Sequence, residues 1–521
     1  MKPARRLVLL LDGTWNEDAA YNQDTNIVRM RDIIADSLTD LKTVPPTEID
    51  DLDEIDLLSL SARRWNDIDY FFFYERGVGT GPGLNRILGG ALGWGLSQNV
   101  RRAYRFLSRN YVSGSEIFIF GFSRGAYTAR SLVGYLGSAG LLRAECCLPE
   151  IEKDAWDYYR TSPNDRLPGM QIKLQRHSHS AEQLRISCLG VFDTVGTLGV
   201  PASLFNRFNR SKYEFHDVEL SPIVKLNLHA LAIDERRLQF EASVWRYNKF
   251  RPNNSVTEQV WFPGTHSDIG GGYYSDEERD APARGLDDVP LDWMLKRLRF
   301  HYPTFPVVDG AVVSKFRPIL GRLKKAGLLH ESRTWRYRIT SPAIRAIANI
   351  RPPRFREEKR VSYDRDAFMV GESVHISALE RIARLTPYKR RGLRQLYLPR
   401  NLVELLPDLY SKYCERLDLV YGPDSLSVTS WTGEVVETHV DPNERGPELK
   451  EVQDALTAAV ARLKVLGYDV TSVSLKSPEA ARTLNACKPA RLTPWARRLI
   501  LTRPRRIIRS IRRRGSSIFS S

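Results

Sequence analysis

Along the first 275 residues, short apolar runs alternate with stretches of helical spacing. The runs are Leu7–Leu11, Tyr70–Tyr74, Ile117–Phe120, Ile186–Phe192 and Val256–Phe262. Strands alternating with helical patterns predict an α/β fold built on a mostly parallel sheet, with helices on both faces. Each run stops at a polar or glycine-containing turn: Asp12-Gly13-Thr14, Gly77-Val78-Gly79, Gly121-Phe122-Ser123, Asp193-Thr194 and Gly264-Thr265-His266. Ligand-handling residues of such sheets gather at the carboxyl ends of the strands. The reactive side chains of this chain sit just there.

Two segments interrupt the alternation. Residues 40–66 contain Glu48 to Asp56, six acids in nine residues, and read as a solvated insertion. Residues 144–182, with Pro149, Pro163 and Pro168, read as a second insertion and a candidate lid. After about residue 300 the pattern turns basic and helix-rich; Leu449, Val452, Leu456, Val460 and Leu463 predict one helix across Glu448–Leu466. The expected division is a catalytic domain over 1–295, a helix-rich accessory region over 296–480 and a basic amphipathic tail over 481–521.

Composition narrows the class. With 521 residues, 42% of them apolar and 27% charged, the chain has the makeup of a globular protein and enough length for more than one domain. The longest uncharged apolar stretch, Ile87 to Leu96, is ten residues with four glycines, short of the roughly 20 needed to span a bilayer. The run at Leu7–Leu11 is also too short for a signal-peptide core. Five cysteines without a C-x-x-C pair predict free thiols in a reducing compartment, hence a cytoplasmic protein. The net charge of +16 is uneven: residues 481–521 hold twelve Lys or Arg and no acid, leaving +4 on the rest. Nucleic acid is therefore not an expected partner of the body.

The most specific local feature is Glu116 to Phe120 running into Gly121-Phe122-Ser123-Arg124-Gly125 and then a helical pattern through Ala129, Leu132 and Leu136. Strand, Gly-x-Ser-x-Gly and helix together make a turn that lifts a strained serine above the sheet. A serine hydroxyl needs a base within hydrogen-bond reach, and the base needs an orienting group. Asp193 and His266 follow 70 and then 73 residues later, each just past an apolar run, in the order Ser, Asp, His that α/β-hydrolases use. Asp268 ranks second for the acid role, and His375 is the rival histidine. Acyl transfer also requires donors for an oxyanion. The backbone N–H of Arg124 is the first candidate, and that of Gly13 or Thr14 the second; Asp12 alternatively binds local amides in a structural turn. Dinucleotide and P-loop glycine patterns, H-E-x-x-H and a calcium loop are absent, so neither cofactor nor metal is expected.

Six blocks stand in one order: Leu11-Asp12-Gly13-Thr14-Trp15-Asn16, Gly77-Val78-Gly79-Thr80, Gly121 to Ala126, Phe192-Asp193-Thr194-Val195, Ala232-Ile233-Asp234-Glu235-Arg236-Arg237 and Trp261 to Tyr273. Together they resemble the catalytic domain shared by a formerly uncharacterised α/β-hydrolase family and the first class of type VI secretion lipase effectors. The resemblance covers roughly residues 5 to 290, and His375-Ile376-Ser377 with Tyr397 to Leu402 is similar to later blocks of that family. It implies a serine esterase acting on phospholipid acyl chains, with Ser123, Asp193 and His266 at the triad positions. The short arginine-rich C-terminus and the two insertions depart from the secreted effectors, so a resident lipid or ester hydrolase stands beside an effector. A small-ester hydrolase or thioesterase without lipid preference, and a catalytically silent scaffold binding membrane or partner, are the alternatives. The sequence names no protein partner.

Within the tail, Arg505 to Arg514 puts Ile507, Ile508 and Ile511 on one helical face and arginines on the other. Such a segment suits an anionic membrane surface, to which Arg497–Arg514 would hold the protein peripherally.

Overall fold

A computed structural model of the chain describes residues 5–13, 25–38, 62–65, 68–75, 77, 91–195, 219–237, 240–245, 255–273, 285–307, 329–332, 343–348, 350–351, 361–362, 370–390, 393–415, 426–438 and 447–468. Thr14, most of the 40–66 insertion, Cys487 and the basic tail lie outside these residues.

Nine strands form one sheet: β1 (Arg5–Leu11), β2 (Ala62–Trp65), β3 (Ile68–Glu75), β4 (Glu116–Phe122), β5 (Ile186–Phe192), β6 (Val224–Ala232), β7 (Val256–Phe262), β8 (Glu372–His375) and β9 (Leu426–Thr429). Their order is β9-β8-β7-β6-β5-β4-β1-β3-β2, parallel throughout except for the edge pair β2–β3. Among the described residues the longer helices are α1 (Asn26–Ser37), α2 (Ala91–Asn110), α3 (Arg124–Ala139), α4 (Pro149–Arg160), α5 (Pro168–His177), α6 (Asp288–His301), α7 (Ile376–Ala383) and α8 (Pro447–Val465).

Side chains alternate across a strand, and β1 shows where each set goes. Leu7, Leu9 and Leu11 join Tyr104 and Leu107 of α2 and Leu132 and Leu136 of α3 in one core. Val8 and Leu10 join Ile27 and Ile33 of α1 and Leu291 and Met294 of α6 in a second. Helices therefore cover both faces of the central strands, and runs apolar on both faces are what such burial requires. This is the expected α/β architecture. A third core joins Trp261 and Val374 to α7 and α8, where Leu449, Val452, Leu456 and Leu463 are buried as their spacing predicts.

Three features differ from the sequence expectation. Strands β8 and β9 arise inside the region read as a helix-rich accessory, yet β8 pairs with β7 and β9 with β8, so they extend the main sheet. The segment 144–182 is not a lid: Trp156 and Tyr159 of α4 pack against Tyr135 of α3 at ring separations of 5.2 and 5.3 Å, and Leu174 of α5 is buried in the same core. Glu152 of α4, buried there, is ion-paired with Arg101 of α2. Finally, β6 went unread because Lys225, Asn227 and His229 interrupt its apolar run; Asn227 and His229 are nonetheless buried.

Among the described residues no helix is long and apolar enough to cross a membrane. Cys146, Cys147, Cys188 and Cys414 are free.

Candidate active site

The register of the central strands aligns their carboxyl ends. Leu11 pairs with Gly121, Phe122 with Phe192 and Ala232 with Phe262. The turns that follow therefore open along one edge, which is how residues far apart in sequence come to share a site.

Ser123 occupies the turn from β4 into α3 with φ 57° and ψ −118°, in the left-handed region where a non-glycine residue is strained. The flanking glycines explain how so sharp a turn fits. A Cβ at Gly121 would lie 2.6 Å from the Gly125 carbonyl oxygen, and one at Gly125 would lie 2.0 Å from the Leu11 carbonyl oxygen. Arg124 begins α3, and the first N–H groups of a helix have no acceptor within it.

His266 opens a short helical turn after β7. Its Nε2 lies 2.8 Å from Ser123 Oγ and its Nδ1 2.6 Å from Asp193 Oδ2. An ionised carboxylate only accepts, so Nδ1 carries the proton and Nε2 is left to accept from the serine hydroxyl. The structure thus brings together the three residues that the sequence nominated. Asp193, fully buried, is itself at a positive φ of 42°. Burial pushes its carboxyl upward, but the neighbouring Arg345 and His266 more than offset this and hold it well below the usual carboxylate range. Burial lowers His266 below its ordinary value, against the pull of Asp193.

The sequence reading missed the residues around this chain of bonds. Arg345 donates from Nη1 to Asp193 Oδ1 at 2.5 Å and from Nη2 to Oδ2 at 3.0 Å. Glu235 accepts the His266 backbone N–H at 3.2 Å and is gripped by Arg237, Nε to Oε1 at 3.0 Å and Nη2 to Oε2 at 2.9 Å. Burial raises the Glu235 carboxyl, and Arg237 overcomes this so that it stays ionised. The Arg237 guanidinium lies 3.5 Å from the centre of the Phe240 ring, which meets the His266 ring edge-on at 4.9 Å. Phe122 covers His266 from another side at 4.8 Å. The block Ala232 to Arg237, recognised in the sequence without a role, is the bed on which His266 rests.

Other candidates fall elsewhere. Asp268 closes a capping box with Thr265 and faces His330, its Oδ1 2.5 Å from the His330 Nδ1, rather than His266. His375 caps α7, its Nδ1 accepting from the Ser377 N–H at 3.3 Å, and stacks on Phe262. Gly13 lies against the nucleophile, since a Cβ there would come within 3.3 Å of Ser123 Cβ. Its N–H, however, donates to Asp12 Oδ1 at 2.7 Å instead of facing a substrate oxygen. Asp12 also accepts from Thr25 Oγ1 at 2.8 Å and Tyr74 Oη at 3.0 Å, and burial raises its carboxyl to about 6. Among the described residues no group of three or more His, Cys, Asp or Glu side chains is arranged to hold a metal ion.

Comparison with known proteins places the chain in a wider group. The family model described as T6SS, phospholipase effector Tle1-like, catalytic domain matches residues 5–297. Uncharacterized protein YEL023C of Saccharomyces cerevisiae is 32% identical over 168 residues, which are 30% of this chain and 23% of the yeast protein. Two solved structures are similar in part. One is the Tle1 effector bound to the VgrG spike of the type 6 secretion system, at 18% identity and a TM-score of 0.27 over 59% of this chain and 62% of that one. The other is an uncharacterized protein from Pseudomonas aeruginosa, at 14% identity and a TM-score of 0.33 over 93% of this chain and 66% of that one. The chain spans about a quarter of the yeast protein and under two thirds of either solved chain.

Proposed function

The chain belongs to the family of Tle1-like phospholipase effector catalytic domains, a family of phospholipase-type hydrolases, and from that premise we propose that it is a serine esterase cleaving acyl esters of phospholipids. The observation that supports the reading most is the continuous chain of hydrogen bonds from Ser123 Oγ through His266 to Asp193, at 2.8 and 2.6 Å.

His266 Nε2 takes the proton of Ser123 as Oγ attacks the ester carbonyl carbon, and Asp193 stabilises the imidazolium that forms. The carbonyl oxygen, now negative, is met by the Arg124 N–H at the start of α3, where the positive end of the helix adds to the attraction. His266 then returns the proton to the departing alkoxide, a lysophospholipid, leaving the acyl group on Ser123. Water enters, gives its proton to His266 and attacks the acyl carbon, and the serine leaves as a hydroxyl with the fatty acid released. Phe122 and Phe240 pack against the buried imidazole, and exclusion of water strengthens every charge interaction within the site.

The arginine-rich tail, outside the described residues, is proposed to hold the enzyme at an anionic lipid surface through its basic residues. Labelling with a fluorophosphonate probe tests the chemistry, and a chain-length series of esters tests the substrate class. Label on Ser123 alone and a preference for long acyl chains presented in vesicles are the expected results. Equal or better turnover of short soluble esters would contradict the phospholipid assignment while leaving the serine mechanism, and absence of labelling would contradict both.

A further inference from the structure

We infer that Arg345 is a positioning residue that clamps Asp193 for proton transfer through His266, an inference that rests on the serine-esterase reading and deepens it. Arg345 lies beyond the matched family domain, which ends at residue 297, and no motif of the sequence marks it. Its side chain is 3% exposed. Nη1 divides its two hydrogens between Asp193 Oδ1 and the Ala232 carbonyl oxygen at 2.5 and 3.0 Å, and Nη2 between Asp193 Oδ2 and the Phe240 carbonyl oxygen at 3.0 and 2.6 Å. The Ala232 N–H also reaches Oδ1, at 2.9 Å, and His266 Nδ1 reaches Oδ2. A carboxylate has about four lone-pair directions, and all four are occupied, so Asp193 cannot turn away from His266. Asn401 Nδ2 donates to the carbonyl oxygens of both Arg345 and Ile233, at 3.2 Å each, tying the backbone of the arginine to the end of β6.

The clamp acts in two ways. The planar fork fixes the carboxylate in position, and proton transfer is sensitive to misplacement of its groups. The fixed positive charge keeps a fully buried carboxylate ionised, so His266 Nδ1 remains the donor and Nε2 the acceptor. That same charge cancels part of the pull of Asp193 on the imidazolium and so restrains the proton affinity of His266.

The test is the pH dependence of kcat/KM for Arg345→Gln and Arg345→Lys, each checked for folding by circular dichroism and run beside wild type and Ser123→Ala on a nitrophenyl ester. For Arg345→Gln the expected result is a fall in kcat of about 10- to 100-fold with KM little changed. Its acid limb should also move up. Arg345→Lys keeps the charge but not the fork, so it should lose kcat with the limb near its wild-type position. A folded Arg345→Gln with an unmoved limb and full kcat would overturn the inference. If Arg345→Gln does not fold, Arg345→Lys decides: wild-type kcat in that variant overturns the clamp. Turnover that requires Ser123 but ignores Arg345 would remove this role alone; wild-type turnover that survives Ser123→Ala would remove the underlying reading with it.

Discussion

Replacing Asp193 by asparagine preserves shape and removes charge, and the surrounding bonds let its cost be worked out. Oδ1 faces two donors, Ala232 N–H and Arg345 Nη1, and Oδ2 faces two more, His266 Nδ1 and Arg345 Nη2. An amide has one acceptor end and one donor end, so whichever way the new side chain turns, its NH2 group meets two donors. Pointing that group at the place of Oδ1 strands the Ala232 N–H and half of the arginine fork. Pointing it at the place of Oδ2 forces His266 into the other tautomer, with Nε2 protonated and no base for Ser123. Arg345 also keeps its charge but loses its ion-pair partner, and removing one partner of a buried ion pair costs about 3–5 kcal/mol. Loss of the orienting acid at constant geometry costs about 10,000-fold in kcat, or about 5 kcal/mol of barrier. Urea unfolding and nitrophenyl-ester turnover measure the two effects on one protein sample. Stability within about 1 kcal/mol of wild type, or kcat within about tenfold, would refute the reasoning, because each of the four donors would then have had a partner the structure does not give it. Asp268→Asn is the matched control: its oxygens serve Thr265 and His330, so it should lose about 1 kcal/mol of cap and keep kcat within about tenfold of wild type.

Three further expectations follow from other parts of the structure. Because burial lowers His266 below its ordinary value and the neutral imidazole is the active form, the acid limb of kcat/KM should lie below pH ~6.5; a limb above that value in a pH–rate profile would contradict the buried environment. Gly125→Ala would drive a Cβ to 2.0 Å from the Leu11 carbonyl oxygen, against backbone that cannot yield cheaply. It should cost about 3 kcal/mol or more and lower Tm by several degrees, and an unchanged melting curve would count against the described elbow. Deleting residues 485–521 removes eleven arginines and lysines, so binding to vesicles rich in anionic lipid should fall at least about tenfold, given about 1 kcal/mol for each basic residue near the surface. Unchanged sedimentation with those vesicles would end the membrane role of the tail.

What could be read from the sequence follows from how local its causes are. β1, β4 and β5 are buried on both faces and so appear as nearly unbroken apolar runs, β7 is apolar and buried only over Val260, Trp261 and Phe262, and the serine turn is dictated by two glycines within five residues. Asp193 was legible because it begins the turn after β5, and His266 because it stands in the turn after β7. β6 was not legible, since Asn227 finds Ser255 and Thr257 as partners across the sheet and a polar residue satisfied in this way looks solvent-facing in sequence. Arg345 was invisible for a stronger reason: it is one of 78 cations, and its role comes entirely from a contact 152 residues away. The amide of Gly13 or Thr14 was the candidate for the second oxyanion donor because both stand in the turn after β1, and Gly13 does lie against Ser123. The Asp12 side chain instead folds back and takes that N–H, which is the structural turn that the sequence offered as the alternative.

Fatty-acid release from defined phospholipid vesicles, by wild-type protein and by Ser123→Ala of matched fold, tests the central claim most directly. The account predicts release by wild type and loss of about 1,000-fold or more in the variant. Equal release by both proteins would contradict the role of Ser123, and no release by wild type would contradict the phospholipase assignment itself.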